Sequence, residues 1–148
     1  MNSLHQLAKT LDPYYAKLPV LPKGVNDFIV SVAPWLALVF GVLALLAGLA
    51  AFGILTAFSP MAAYAGVGGY ALAAMLAAVV LLVQGVIDLV AFSPLKAKRK
   101  KGWDLMFLSV VLGVVSSVVS LSVGGVVWSI IWALVGYYFL YQIKSYYN

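Results

Sequence analysis

The stretch SPLKAKRKKGWD, residues 93–104, decides the architecture of this chain. It contains five of the nine basic residues and separates two long runs that carry no charge. Residues 28–87, a run of 60, and residues 105–143, a run of 39, contain no Asp, Glu, Lys or Arg. A soluble protein needs charged side chains over its surface, whereas here only 9% of the residues are charged and 65% are hydrophobic. The sequence therefore predicts an integral membrane protein and excludes a soluble globular domain.

Each charge-free run is long enough for two membrane spans, since one span needs about 20 residues. A single straight helix over the first run would be about 90 Å long, so the chain has to fold back within it. The Ser59-Pro60 pair is expected to end the first span, because the residue before a proline disfavours helical geometry. The second run is expected to turn at residues 122–125, where Ser and Gly are concentrated. We predict an all-α fold, a four-helix integral membrane protein of two transmembrane hairpins, with spans at about residues 34–58, 69–92, 103–121 and 126–143.

A polar N-terminal segment, residues 1–27, precedes the membrane domain of residues 28–148. Ser3 and Gln6 fit a capping box, and the leucines that follow share one helical face. The segment is either a short amphipathic helix in the membrane interface or a partly ordered tail. Asn26 and Asp27 are typical of the N-terminal cap of the next helix, and Asp104 is expected to play that part at the third span.

The basic residues predict the orientation of the spans. All nine Lys and Arg residues lie in residues 1–27, 93–104 and 144–148, and none lies in the two other connections, residues 59–68 and 122–125. Cytoplasmic loops of membrane proteins are enriched in Lys and Arg. We therefore expect both termini and the basic stretch in the cytoplasm, which requires an even number of spans.

Gln84 and Asp88 form the candidate polar site inside the membrane. They are four residues apart and share one face of the second span, and Asp88 is the only acidic residue in the interior of a predicted span. Ionisable residues inside a membrane commonly mark a functional site. A structural role is the alternative, because Asp88 lies close enough to the basic stretch to pair with Lys96, Lys98 or Arg99.

The bases of the stretch are candidate contacts for anionic lipid headgroups: Lys96, Lys98, Arg99, Lys100 and Lys101. A base at the membrane surface is attracted to anionic lipid by about 1 kcal/mol. A specific lipid or an acidic partner is the alternative to this general attraction. Nucleic acid is not expected, because the polyanion nearest to such a cluster is the headgroup layer.

The sequence contains no motif for catalysis, for a cofactor or for a metal. It has no cysteine and a single histidine, His5, and it lacks both a phosphate-binding loop and zinc-ligand spacing. An enzyme within the membrane would need reactive groups that face one another. We therefore predict no enzymatic activity, no cofactor and no metal site.

Small and aromatic residues follow two further patterns. Small residues recur four positions apart, as at Ala44 and Gly48 or at Ser109 and Gly113, and this spacing lets helix backbones approach closely in lipid. It is compatible with packing among the chain's own helices or with an oligomer face. Aromatic residues gather at the end of the fourth span, where amphipathic rings favour the membrane–water interface: Tyr137, Tyr138, Phe139, Tyr141, Tyr146 and Tyr147.

Two segments carry a resemblance to known proteins: DFIVSVAPW, residues 27–35, and LYQIKSYY, residues 140–147. Together with the four-span layout, they resemble small uncharacterised four-span integral membrane proteins of bacteria, which have no assigned activity. The resemblance implies a location in the bacterial inner membrane and no particular chemistry. We expect a non-enzymatic structural or accessory subunit of a membrane assembly, with lipids, other subunits or further copies as partners. The alternative is a small transporter or channel component whose polar site is Gln84 and Asp88.

Overall fold

The computed structural model describes residues 2–119 and 123–147, which are helical apart from short connections. No β-strand occurs in these two ranges. The predicted all-α fold class is confirmed. Five α-helices are followed by a short 3-10 turn: α1 (Asn2–Tyr15), α2 (Lys23–Tyr64), α3 (Gly68–Lys96), α4 (Lys100–Val119), α5 (Val123–Ile143) and the turn at Lys144–Tyr146.

Four of these helices, α2 to α5, are long and apolar enough to cross a membrane. The chain is therefore a multi-pass membrane protein of two helical hairpins. The longest helix, α2, has 42 residues. At 1.5 Å per residue it is about 63 Å long, roughly twice the hydrocarbon thickness of a bilayer. It extends beyond the predicted span of residues 34–58 at both ends.

The predicted helix end at Ser59-Pro60 is wrong, because α2 continues through Pro60 to Tyr64. Proline has no N–H, so it cannot donate the helical hydrogen bond to the carbonyl oxygen of Thr56. The hydroxyl of Ser59 donates to that oxygen instead, at 3.0 Å. Serine hydroxyls can satisfy carbonyls freed by proline in membrane helices. Pro34 also lies inside α2, so the helix is continuous from Lys23 past this proline.

The connection between α3 and α4 is much shorter than predicted. Because α3 ends at Lys96 and α4 begins at Lys100, only residues 97–99 lie outside a helix. Gly102 makes this possible, since a Cβ at this position would be 2.7 Å from the backbone nitrogen of Leu95. Only glycine lets the first turn of α4 pack this closely against the last turn of α3.

The predicted helix caps are wrong. Pro22 is the N-cap of α2, without a side-chain hydrogen bond, so Asn26 and Asp27 lie within the helix and Asn26 is buried. Similarly, α4 begins directly after the short turn, so Asp104 lies inside it. The Asp104 carboxylate pairs with the ring of His5 on α1 at 3.2 Å. In both cases the helix begins three or more residues before the expected cap.

In the second hairpin, α4 is described as far as Val119 and α5 begins at Val123. The predicted end of the third span at Leu121 and the first residue of the predicted turn, Ser122, lie outside the described residues. The rest of that predicted turn, residues 123–125, belongs to the first turn of α5.

Small residues bring the helices of this chain together. A Cβ on Gly41 of α2 would be 3.1 Å from the carbonyl oxygen of Gly85 on α3, and one on Gly85 would be 3.0 Å from that of Gly41. Gly48 also lies against α3. On the other side of α3, the hydroxyl of Ser116 donates to the carbonyl of Ala77 at 3.4 Å. These small residues therefore serve packing within the chain.

The N-terminal segment contains an ordered helix, α1, which excludes the alternative of a partly ordered tail for residues 2–15. It packs along α4 and α5, with His5 beside Asp104 near the start of α4 and Tyr15 beside Leu134 in the middle of α5. The hydroxyl of Tyr15 donates to the carbonyl of Leu134 on α5 at 3.1 Å, and burial raises the pKa of Tyr15. That α1 lies in the membrane interface stays a prediction.

The buried core lies at the end of the bundle that α1 covers. All five helices contribute to it, and it includes Tyr15, Val30, Leu95, Trp103, Phe107, Tyr137 and Ile143. Elsewhere, many large apolar side chains of α2, α3 and α5 are exposed. This distribution suits a protein whose outer surface meets lipid over most of its length and whose own core is small.

Candidate functional site

Asp88 lies in the interior of the molecule, with only 5% of its surface exposed. It is on α3, eight residues before the helix ends at Lys96, which is about 12 Å along the helix axis. Gly41 of α2 lies opposite, and a Cβ there would be 3.1 Å from the Cβ of Asp88. The missing side chain at Gly41 therefore leaves the space that Asp88 needs beside α2.

Gln84 and Asp88 line the same cleft, as their spacing predicts. The cleft has a volume of about 430 Å³ and lies between α2, α3 and α4. Its α2 wall is apolar and includes Leu43, Ala44 and Ala47. The site thus combines one carboxyl group and one amide with a wall of small and medium-sized apolar side chains.

Ser109 of α4 is the polar residue of this site that sequence reasoning did not assign to it. It is buried, lines the cleft, and lies beside the carboxyl group of Asp88. The oxygen Oδ1 of Asp88 is buried and has no hydrogen-bond partner among the described residues. The small-residue pattern at Ser109 was visible, but it pointed to packing and not to a carboxyl group on another helix.

Polar groups continue from Asp88 toward α5. The side-chain nitrogen of Gln84 would be 3.8 Å from a Cβ on Gly113 of α4, so the amide lies beside α4 at a position that has no side chain. Gln84 and Ser109 also border a smaller cavity of about 210 Å³, which Ser129 of α5 lines as well. The four polar side chains thus lie along two adjoining cavities.

Asp88 forms no ion pair with any residue in the described part of the chain, since the two ion pairs found there join other groups. The pairing with Lys96, Lys98 or Arg99 that the sequence left open is not formed. The ammonium group of Lys96 lies instead 5.9 Å from each of two aromatic ring centres at the end of the α2–α3 hairpin. Asp88 is therefore an acidic residue of an apolar helix that has no cationic partner among the described residues.

The bases proposed as headgroup contacts are all exposed: Lys96, Lys98, Arg99, Lys100 and Lys101. Lys96, Lys100 and Lys101 belong to the ends of α3 and α4 and not to a loop. The five side chains lie at the end of the bundle that also carries α1. Lys100 additionally lines a cavity beside α1.

A second polar cluster fastens α1 to α5. The hydroxyl of the buried Tyr137 lies 3.1 Å from the carbonyl oxygen of Ala8 and 3.1 Å from Oδ1 of Asp12. Because a hydroxyl has a single proton, it donates a hydrogen bond to one of these oxygens at a time. The other oxygen of Asp12 accepts a hydrogen bond from the ammonium group of Lys144 at 2.7 Å. Tyr137 was expected at the membrane–water interface, but it is a core residue because α1 covers it.

Gln142 holds the linker between α1 and α2. Its side-chain nitrogen donates to the carbonyl of Pro19 at 3.2 Å, and its side-chain oxygen accepts from the backbone N–H of Leu21 at 3.3 Å. The hydroxyl of Tyr138 donates to the same Pro19 carbonyl at 2.7 Å. A lone glutamine near the end of a span offers no sequence signal for this role.

No protein-family model, curated protein or solved structure matches this chain. Within residues 2–119 and 123–147, no group of three or more His, Cys, Asp or Glu side chains could hold a metal ion. The polar groups of the cleft are one carboxyl group, one hydroxyl and one amide. Such a set can accept a proton or hold a cationic group.

Proposed function

We propose that this chain is a non-enzymatic accessory subunit of a bacterial inner-membrane assembly, and that Asp88 is its contact with a basic group of another subunit. The observation that supports this proposal is the Asp88 carboxyl group, which is buried in the cleft with Oδ1 unpartnered. The carboxyl group has a Ser109 hydroxyl beside it and no cation among the described residues.

An unpaired carboxylate inside a membrane is costly. Removing it from water costs several kcal/mol unless an opposite charge and hydrogen bonds compensate. A Lys or Arg on a neighbouring membrane helix would supply that charge. Ala44 and Ala47 on the α2 wall of the cleft favour such a helix, because small side chains let helix backbones approach closely in lipid.

The partner in this proposal is a different protein and not a second copy of the chain. Residues 28–87 and 105–143 contain no Lys or Arg. A second copy therefore has no basic residue in the interior of its spans to bring to the depth of Asp88. This difference favours a mixed assembly over a homo-oligomer.

The proposed orientation has both termini and the basic residues in the cytoplasm, because all Lys and Arg lie at one end of the helical bundle. The five exposed bases of residues 96–101 would then face the anionic headgroups of the inner leaflet. General attraction to these headgroups is sufficient to hold this end of the bundle at the membrane surface.

Photo-crosslinking in native membranes tests the proposed contact. A photoreactive amino acid replaces Leu43, which lines the cleft and is 53% exposed, or in the control Leu76 of α3, which is 52% exposed. We expect the Leu43 variant to form an adduct with a membrane helix of another protein, and mass spectrometry to find a Lys or Arg in the crosslinked segment. Adding Asp88→Asn should abolish the adduct.

Two results would contradict the proposal. One is an adduct from the Leu43 variant to a second copy of the chain. The other is an adduct to another protein that persists in Asp88→Asn. Since asparagine has nearly the same volume as aspartate, thermal unfolding in detergent should show that the variant is folded.

A small transporter or channel component is the second candidate, favoured by the row of polar groups from Asp88 through Ser109 and Gln84 to Ser129. Oxygen atoms of such side chains could pass a proton or a monovalent cation. Proteoliposomes containing the purified chain and a pH-sensitive dye test this candidate. A proton flux lost in Asp88→Asn and kept in Asp104→Asn would favour transport over the accessory role.

A further inference from the structure

A cavity of about 590 Å³, larger than the Asp88 cleft, lies between α1, the start of α4 and the C-terminal turn. Ligand sites for small molecules typically have volumes of about 300–1,000 Å³. Its walls include Lys9 and Asp12 from α1, Lys100 and Asp104 from α4, and Lys144 and Tyr147 from the C-terminal end. Three separate parts of the chain thus bring charged groups to one concave surface.

The acidic groups of this cavity are already engaged. Asp12 accepts from Lys144 at 2.7 Å, and Asp104 pairs with His5 at 3.2 Å. Lys9 and Lys100 are exposed and have no ion pair with any described residue. With His5 counted as neutral, three lysines and two carboxylates line the cavity, so its net charge is +1.

Tyr147 indicates independently that a hydrogen-bond acceptor is missing next to this cavity. The residue is only 4% exposed, and its hydroxyl is buried without a hydrogen-bond partner among the described residues. Burial raises the pKa of Tyr147, so its hydroxyl keeps its proton and stays a donor. Buried donors in folded proteins are nearly always paired. Tyr147 lines this cavity, so an anion there would supply the acceptor once a small rotation of the side chain exposes the hydroxyl.

We infer that this cavity binds the phosphate group of an anionic glycerophospholipid, with Lys9 and Lys100 as its cationic contacts and the Tyr147 hydroxyl as a further donor. Lys100 is the first residue of α4, where the helix dipole also favours an anion. The inference concerns a specific site and does not depend on a partner at Asp88.

The position of the cavity favours a lipid over a free phosphate ion. It lies at the end of the bundle where the apolar helices end and the bases gather, which is the level of the headgroup layer.

Native mass spectrometry of the full chain in mild detergent, titrated with phosphatidylglycerol, measures the affinity. We expect K9Q/K100Q to weaken binding of the first lipid by about tenfold or more, since it removes two phosphate contacts. The matched control K17Q/K23Q removes the same charge at two exposed lysines outside the cavity, and we expect a change of less than about threefold. An equal loss from both pairs would overturn the site and leave only general attraction.

Two further arms complete the test. Tyr147→Phe should leave the thermal stability of the lipid-free protein unchanged or higher, because it removes a donor that has no acceptor, and should still weaken phosphatidylglycerol binding. Unchanged binding by this folded variant would remove Tyr147 from the site. Inorganic phosphate should not compete at millimolar concentration, whereas full displacement of the lipid by phosphate would overturn the lipid assignment.

Discussion

The indole N–H of Trp103 donates a hydrogen bond of 2.8 Å to the carbonyl oxygen of Leu140, and both residues are buried. Leu140 lies in the last turn of α5, where carbonyl oxygens have no partner within the helix. The ring of Trp103 stacks on that of Phe107, with centroids 5.6 Å apart. The ammonium group of Lys144 lies over the Trp103 ring, 5.3 Å from the ring centroid. Trp103 therefore joins the start of the second hairpin to its end.

Replacing Trp103 by Phe should destabilise the protein. The substitution leaves the Leu140 carbonyl buried without its donor, which costs about 1–3 kcal/mol, and it also removes part of the ring contact with Phe107. Thermal unfolding in detergent, followed by circular dichroism, measures the effect. Trp128→Phe is the matched control because Trp128 is 63% exposed, and an equal loss of stability in both variants would show that the hydrogen bond is not the cause.

Tyr137→Phe should loosen α1 without unfolding the bundle. The hydroxyl it removes contacts both Ala8 and Asp12, and a hydrogen bond of this kind contributes about 0.5–1.5 kcal/mol. Hydrogen–deuterium exchange should become faster in residues 2–15 and stay unchanged in α3. Tyr70→Phe, at an exposed tyrosine, serves as the control, and unchanged exchange of α1 in the Tyr137 variant would argue against this attachment.

Two glycine substitutions should change stability in opposite directions. Gly102→Ala places a Cβ 2.7 Å from the backbone nitrogen of Leu95, so it should destabilise the α3–α4 connection by about 1–3 kcal/mol. Gly53→Ala, in α2, meets no atom within 4 Å and should be neutral or stabilise the helix by up to about 1 kcal/mol. Denaturation in mixed micelles gives both values, and a tolerated Gly102→Ala would mean that the two helices can separate at little cost.

Cysteine labelling should determine the orientation, since the native chain has no cysteine. Ala65→Cys and Ala97→Cys introduce single thiols at exposed alanines in the connections at opposite ends of the bundle, and neither removes a charge. In intact cells with a permeabilised outer membrane, a membrane-impermeant maleimide should label the Ala65 variant. The Ala97 variant should react only after the inner membrane is broken. The reverse pattern would contradict the proposed cytoplasmic location of the basic residues.

Several local sequence signals were overridden by neighbouring groups. Pro60 was expected to end a helix, but the hydroxyl of Ser59 takes over the hydrogen bond that proline cannot donate. Asp104 was expected to cap a helix, but α4 starts earlier and Asp104 pairs with His5, 99 residues away. A cap or a helix end is a competition between short-range and long-range partners, and only the short-range ones can be identified in a sequence.

The stretch at residues 93–104 and the two charge-free runs beside it determined by themselves that this is a helical membrane protein with two hairpins. Hydrophobicity adds up residue by residue along a chain, so it needs no knowledge of which helices meet. The burial of Asp88 beside Ser109, the clamp of Gln142 on the linker and the cavity between Lys9, Lys100 and Tyr147 were decided only by the tertiary structure. Each of these sites joins residues from distant parts of the chain. Their spacing in the sequence carries no record of the contact, because helix packing brings them together only after the spans have formed.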